Sequence, residues 1–383
     1  MASQSSTRGA FTPQRIIESA LTIVARNGPT SLTVDALRAE TGLSRGGLAH
    51  HFRSQTELLE ATIRHSLDAY RGALEREVSG GGDSIAGYAD VTLGTGMRYR
   101  LALMLGLAQD PGLLTEWAAF FRLQDANPGG SELVSTACLR RLAIDGLCWT
   151  KILNPHRFSA QRMERLATEV LTWSPEPIDV ESLPTSPSRR HRGATKERIL
   201  QAVRHVALKL GGSSVTMERV RNESGISKSG ILYHFDSKGA MLQSFFDEIA
   251  AGSAEISQAG LGERGWDLRT LAYARANIAH SDATMTLLWI LAISSAPHLS
   301  SELAKSSRII DSAEDALPEP LWLDVQLRRL ALDGLCWSDL IDPQRFSRLD
   351  RDGLLRRLVG RTQDELFPRL ATTRSVRTQT GPQ

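Results

Sequence analysis

Cysteine is scarce in this chain: Cys138, Cys148 and Cys336 are the only three in 383 residues, and no two form a CxxC pair. An odd, scattered set argues against a disulfide framework or a structural zinc site and points to a reducing compartment. Long hydrophobic runs are missing as well. The longest mostly apolar stretch, Met285–Ala296 (MTLLWILAISSA), is too short to span a bilayer and reads as a buried helix. The opening MASQSSTRGAFTPQ lacks the apolar core of a signal peptide. Charge of one sign is not in excess, because the formal net charge is only +2. Any affinity for nucleic acid must therefore sit in local patches. No Gly-rich phosphate loop, HExxH or G-x-S-x-G occurs, so the common enzyme signatures are absent, and no cofactor or metal is expected. These absences describe a soluble cytoplasmic protein that works without catalysis.

What the chain does contain is repetition. GLSRGGLAHHF (42–52) returns as GISKSGILYHF (225–235), and RRLAIDGLCWTKILNPHRF (140–158) returns as RRLALDGLCWSDLIDPQRF (328–346), identical at 12 of 19 positions. Both ends of a unit recur in order, so a whole unit is repeated. Between the copies, SPEPIDVESLPTSPSRRHRG (174–193) has four prolines and no helical period, as a linker would. The predicted organisation is a disordered start (1–11), a first head (12–61) and a first helical domain (62–173). After the linker come a second head (194–244), a second helical domain (245–370) and a disordered tail (371–383). A length of 383 residues gives each unit enough chain to bury its own core.

The periodicity is helical throughout. Ile16, Ile17, Ala20, Leu21, Val24 and Ala25 form one apolar stripe; Ile199, Leu200, Val203, Val206, Ala207 and Leu210 form its counterpart. A short helix follows, opened by Thr33 with Val34 and Leu37 turned inward, or by Thr216 with Met217 and Val220. Gly42-Leu43-Ser44 then supplies a helix exit, an apolar anchor and a cap for the next helix. Helix, glycine turn and short helix make the helix-turn-helix plan, whose second helix enters the DNA major groove. Gly46 and Gly47 (Gly230 in the second copy) would let the backbone come close to phosphates. Arg45, His50 and His51 are the donors of the first copy; Lys228, Ser229, Tyr233 and His234 are those of the second. Leu48, Phe52, Ile231 and Phe235 face the core.

At these residues the chain resembles the tetracycline-repressor (TetR) family of transcription regulators. The second copy, GISKSGILYHFDSKGAML, comes close to the pattern G-[VIL]-S-x-G-x-L-Y-x-H-F-x-S-K-E-x-L, and GLSRGGLAHHFRSQTELL follows it with two departures. Ala49 (Leu232 in the second copy) replaces a contacting tyrosine. Gln55 replaces the phosphate-binding lysine that the second copy keeps as Lys238, with Arg53 nearby as a substitute. The resemblance implies phosphate contacts from Thr33, Ser44, Arg45, His51, Thr216, Ser227, Lys228, His234 and Lys238. It also implies that the rest of each unit binds a small effector and dimerises. Local charge agrees: the first 65 residues carry seven Lys/Arg against five Asp/Glu, and residues 189–248 carry eleven against six.

Gly146 and Gly334 sit mid-helix in DGLCW, where they would let a neighbouring helix approach with Trp149 and Trp337 beside them. We therefore expect an all-α intrachain pseudo-dimer of two tandem units, which could associate further. Cys148 and Cys336 read as small core hydrophobes. The candidate effector pocket comprises Met97, Tyr99, Met104, Trp117 and Phe121, with Met285, Trp289, His298 and Trp322 in the second unit. Few charges lie near it, so an apolar or amphipathic effector is expected. The partners are then a double-stranded DNA operator, an imperfect palindrome because the heads differ, and a small molecule that releases a repressor. The alternative is a helical scaffold in which one or both heads no longer read DNA.

Overall fold

Thr12 and Pro13 open the first helix, α1 (Pro13–Asn27): the threonine hydroxyl accepts from the Arg15 amide at 3.4 Å, and proline has no amide to leave unpaired there. The computed structural model describes residues 12–79, 84–125, 135–176, 194–244 and 318–366, with isolated positions between 247 and 317. The two expected disordered ends, the linker from 177 onward, and Met285, Trp289 and His298 lie outside the described residues.

A short 3₁₀ turn (Pro29–Ser31) leads from α1 to α2 (Val34–Thr41), which Thr33 caps through the Ala36 amide at 3.1 Å. Gly42 leaves α2 at φ 70°, a left-handed conformation open to glycine without steric cost. Ser44 then caps α3 (Arg45–His51) through the Gly47 amide at 3.0 Å. The three helices close over Ile16, Ala20, Val24, Leu37 and Leu48. The expected stripe on α1 is corrected at one edge: Ile23 is buried and Ala25 is exposed. The cause is that α1 is gripped on two sides, with Ile16, Ala20 and Val24 in the head core and Ile17 and Leu21 in the core of the helical body. Val34 and Leu210, expected inward, are also exposed. Each sits in the terminal turn of its helix, beyond the packed arc.

α4 (Gln55–Ser79) runs through position 61 without a break, so head and body share one helix rather than a linker. The body continues with α5 (Ser84–Leu93), α6 (Gly96–Gln109), a 3₁₀ turn (Pro111–Leu114), α7 (Thr115–Asp125), α8 (Thr136–Leu153) and α9 (Ala160–Glu169). Residues 194–244 repeat the order of the first segment: α10 (Ala194–Leu210), a 3₁₀ turn (Gly212–Ser214), α11 (Met217–Ser224) and α12 (Lys228–His234). Thr216 and Ser227 are again the caps, at 3.2 and 3.1 Å, and Gly225 leaves α11 at φ 66°. Its own core is built on Ile199, Val203, Val220, Ile231 and Phe235. Beyond it lie α13 (Glu319–Ile341), α14 (Arg348–Val359) and α15 (Gln363–Leu366). Every regular element among the described residues is a helix.

The two recurring motifs meet where α8 packs along α13. A Cβ at Gly146 would overlap the Leu330 carbonyl oxygen, and one at Gly334 would overlap that of Leu142, so both glycines bring backbone onto backbone. Trp149 and Trp337 stack on each other, ring centres 4.0 Å apart and 13° from parallel. Arginines cross in both directions. Arg345 grips Asp125 through two hydrogen bonds of 2.5 and 3.0 Å, and Arg157 grips Asp311 at 2.9 and 3.1 Å. Asn154 and Asp342 end their helices, and Ser159 and Ser347 cap the next ones, as their sequence positions predict. One further contact positions both three-helix segments. Gln109 at the end of α6 donates to the Pro29 carbonyl at 3.4 Å, and Ser213 donates to the carbonyl of its neighbour Ala108 at 2.7 Å.

Candidate nucleic-acid interface

Burial divides α3 and α12 in the same way. Leu48 and Ile231 point into their cores, while Arg45, Gly46, Ala49 and His50 on one helix and Lys228, Ser229, Leu232 and Tyr233 on the other are exposed. The spacing i, i+1, i+4, i+5 is one face of a helix. Each face therefore offers four adjoining surface positions at the mouth of a capped helix, the arrangement needed to meet base edges. His51 and His234 are half-buried behind these faces and pack edge-on against the ring before them: His50 on His51 at 5.4 Å, Tyr233 on His234 at 5.2 Å.

The remaining expected contacts flank the faces. Thr33, Ser44, Thr216 and Ser227 are exposed caps, each already accepting from its own helix. Arg53 is exposed, and its amide donates to Glu57 at 2.6 Å. Gln55 reaches back to the Leu32 carbonyl at 3.4 Å. Lys238 is half-buried, and that burial pushes its ammonium pKa down. The glycines separate into two kinds. Gly46 has open space around it, whereas a Cβ at Gly230 would stand 2.9 Å from the Ile226 side chain. Gly230 thus serves the packing of the turn. Leu232, which the search for polar donors passed over, shares the outward face. Its signal was the departure from tyrosine at that position.

The helical body holds a buried polar cluster that apolar periodicity did not reveal. Arg100, 1% exposed, donates to Asp145 at 2.6 Å and to the Tyr70 and Tyr88 hydroxyls at 3.3 and 3.2 Å. Tyr88 donates to the same Asp145 oxygen at 2.6 Å. Burial, then the Asp145 charge, pushes the Tyr88 pKa well up; burial is the largest influence on Arg100 and opposes its charge, but Asp145, Tyr70, Tyr88 and Cys148 together outweigh it. Tyr273 donates to Asp333 at 2.6 Å in the same pattern, and Arg157 approaches that carboxylate at 3.5 Å. The clue in the sequence was the aspartate inside both copies of the DGLCW motif.

This cluster adjoins residues of the expected effector pocket. Trp117 and Phe121 are fully buried, packed on Tyr70 and Phe120 beside Arg100. Met104 is buried on α6, while Met97 and Tyr99 are half-buried there. Trp322 lies edge-on to Phe158 at 6.0 Å, under the Arg162 guanidinium. An open cleft of about 460 Å³ lies elsewhere, between the end of α5, α8 and α9. Leu93, Leu147, Phe158, Met163 and Ala167 wall it, and Lys151 and Glu164 supply charge. The three cysteines are buried free thiols; burial pushes Cys148 up to about 11 and raises Cys138 and Cys336 as well.

Two family matches cover this half of the molecule. Residues 16–62 match the family described as bacterial regulatory proteins, tetR family, and residues 82–175 match the tetracyclin repressor-like C-terminal domain. The first ends just beyond α3, in α4, and the second spans α5 to the residues after α9. No curated protein matches the chain.

Proposed function

We propose, on the premise that this chain is a DNA-binding transcription regulator of the tetR family, that it is a repressor holding two DNA-reading heads in one polypeptide. The observation that carries this reading is the pair of matched outward faces on α3 and α12, each capped by a serine at 3.0 or 3.1 Å and each backed by a half-buried histidine. The reciprocal seam between α8 and α13 supports a fused pseudo-dimer, since Gly146, Trp149 and Arg157 of one half have counterparts in Gly334, Trp337 and Arg345 of the other. Thr33, Ser44, Arg45, His51 and Arg53 with Thr216, Ser227, Lys228, His234 and Lys238 would hold phosphates or base edges. Gly46, His50, Ser229 and Tyr233 complete the two surfaces, with the half-buried Gly47 and Gly230 behind them.

The effector is a small amphipathic molecule, and the cleft walled by Leu93, Phe158 and Met163 with Lys151 at hand is its seat. Release requires that the effector bind the DNA-free arrangement more tightly than the bound one. α6 is placed to transmit that difference, because its last two residues touch both heads.

Footprinting of the full chain on the DNA upstream of its own gene, repeated with Arg45→Ala and Lys228→Ala, tests this reading. Two protected half-sites, with each variant losing one of them, are expected. Protection of a single half-site would leave one head as scaffold. Absence of any preferred sequence among randomised duplexes would overturn DNA reading altogether.

A further inference from the structure

Only six large hydrophobic side chains stand out as exposed among the described residues, and two of them, Leu232 (39% exposed) and Tyr233 (85% exposed), are neighbours on the seven-residue helix α12. Neither serves the core of residues 199–242, which Ile231 and Phe235 complete without them. An apolar patch rimmed by Lys228, Ser229 and His234 marks a contact surface. The first helix has no such patch. At the equivalent positions it carries Ala49, too short to reach far, and His50, whose ring is polar. It also has Arg45 where the second has Lys228.

The major groove exposes donors and acceptors on every base pair but one apolar group only, the thymine 5-methyl. An apolar patch docked there has a single complementary feature to meet. An arginine, by contrast, offers a rigid planar fork that matches the paired acceptors of guanine, where a lysine presents a single flexible ammonium. We propose that Leu232 and Tyr233 read thymine methyl groups in one half-site, whereas Arg45 and His50 read guanine in the other. The two half-sites then differ in chemistry as well as in sequence. The edge-on contact of Tyr233 with His234, 84° between ring planes, braces the reading ring. This inference rests on the reading of both segments as DNA-binding heads.

The test uses the full chain. Preferred duplexes are selected from randomised DNA, and thymines in each half-site are then replaced by uracil, which removes the methyl group and leaves base pairing intact. Uracil in one half-site is expected to weaken binding roughly fourfold per buried methyl, and uracil in the other to leave affinity unchanged. A chain with both Leu232→Ala and Tyr233→Ala should bind thymine and uracil duplexes equally. Because both side chains are exposed, its thermal midpoint should match the parent. The gain-of-function counterpart, Ala49→Leu with His50→Tyr, should make the second half-site sensitive to uracil too. Tolerance of uracil in both half-sites, or sensitivity that survives in the Leu232→Ala, Tyr233→Ala chain, would overturn the inference while leaving DNA reading intact. If no duplex is selected at all, the parent reading falls and takes the inference with it.

Discussion

The seam between α8 and α13 and the outward faces of α3 and α12 pair the same two halves of the chain, yet their sequences match to different degrees. Along the seam 12 of 19 residues are the same in both copies. On the faces Arg45 stands against Lys228, Gly46 against Ser229, Ala49 against Leu232 and His50 against Tyr233, with no identity. The difference follows from what each position touches. Seam residues meet the other copy of the same motif, Trp149 against Trp337 and each glycine against a leucine carbonyl of the opposite helix, so a change in one copy must fit the other. Face residues meet solvent in the free protein, and folding leaves them free to differ. What folding does hold constant there is the frame: the caps Ser44 and Ser227, the glycines Gly42 and Gly225, and the anchors Leu48 and Ile231.

The largest way to break the comparison is to remove a crossing arginine. Arg345→Ala strands the Asp125 carboxylate, whose side chain is 5% exposed, and should cost roughly 3–5 kcal/mol. Urea unfolding of the two chains measures it, and a loss under 1 kcal/mol would mean the pair carries little. Next comes a glycine substitution made on both regions. Gly146→Ala drives a methyl into the Leu330 carbonyl and should cost roughly 3 kcal/mol, the upper end for overpacking, because the obstacle is backbone. Gly46→Ala, in open space, should instead raise stability by roughly 0.5–1 kcal/mol through helix propensity. Opposite signs in thermal midpoint are the expected result.

Alkali should separate the regions as well. The Cys148 thiol ionises near pH 9 when unfolded but only at about 11 in the fold, so the unfolded chain loses its proton first. Stability contributed by the neutral buried thiol is therefore complete below pH 9 and falls as pH rises toward 11. The loss is roughly 2–3 kcal/mol, visible as a drop in urea midpoint that Cys148→Ala reduces. The caps rank lower. Ser44→Ala or Ser227→Ala should each cost about 1 kcal/mol, seen as faster amide exchange in α3 or α12. Smallest of all, exchanging the four face residues between α3 and α12 should move stability by no more than about 0.5 kcal/mol, while exchanging the preferred half-sites in a binding selection.

Local signals made the frame legible before any coordinates. Thr33, Ser44, Thr216 and Ser227 cap because their hydroxyls lie next to unpaired amides, and Asn154-Pro155 ends a helix because proline forbids its continuation. Gly146 and Gly334 announced a close helix contact by standing inside an apolar helix without other cause. Long-range polar pairing was not legible. Arg100 with Asp145, and Arg345 with Asp125, join residues 45 and 220 positions apart, and each reads alone as an ordinary surface charge. Trp117 and Phe121 have the spacing of any buried stripe, and only packing tells whether their rings enclose space or fill it. Val34 and Leu210 faced outward because hydrophobic period says little about the first or last turn of a helix.

The stacked indoles of Trp149 and Trp337 give the molecule a built-in optical signal. Two such chromophores 4.0 Å apart and nearly parallel couple their transition dipoles, so their near-ultraviolet circular dichroism differs from the sum of two separate rings. Separation of α8 from α13 by an ångström or two would weaken that coupling before either helix unwound. Absorbed light thus distinguishes parting of the two halves from melting of either one, without a label. An effector titration followed at those wavelengths would report whether its message crosses the seam or passes it by.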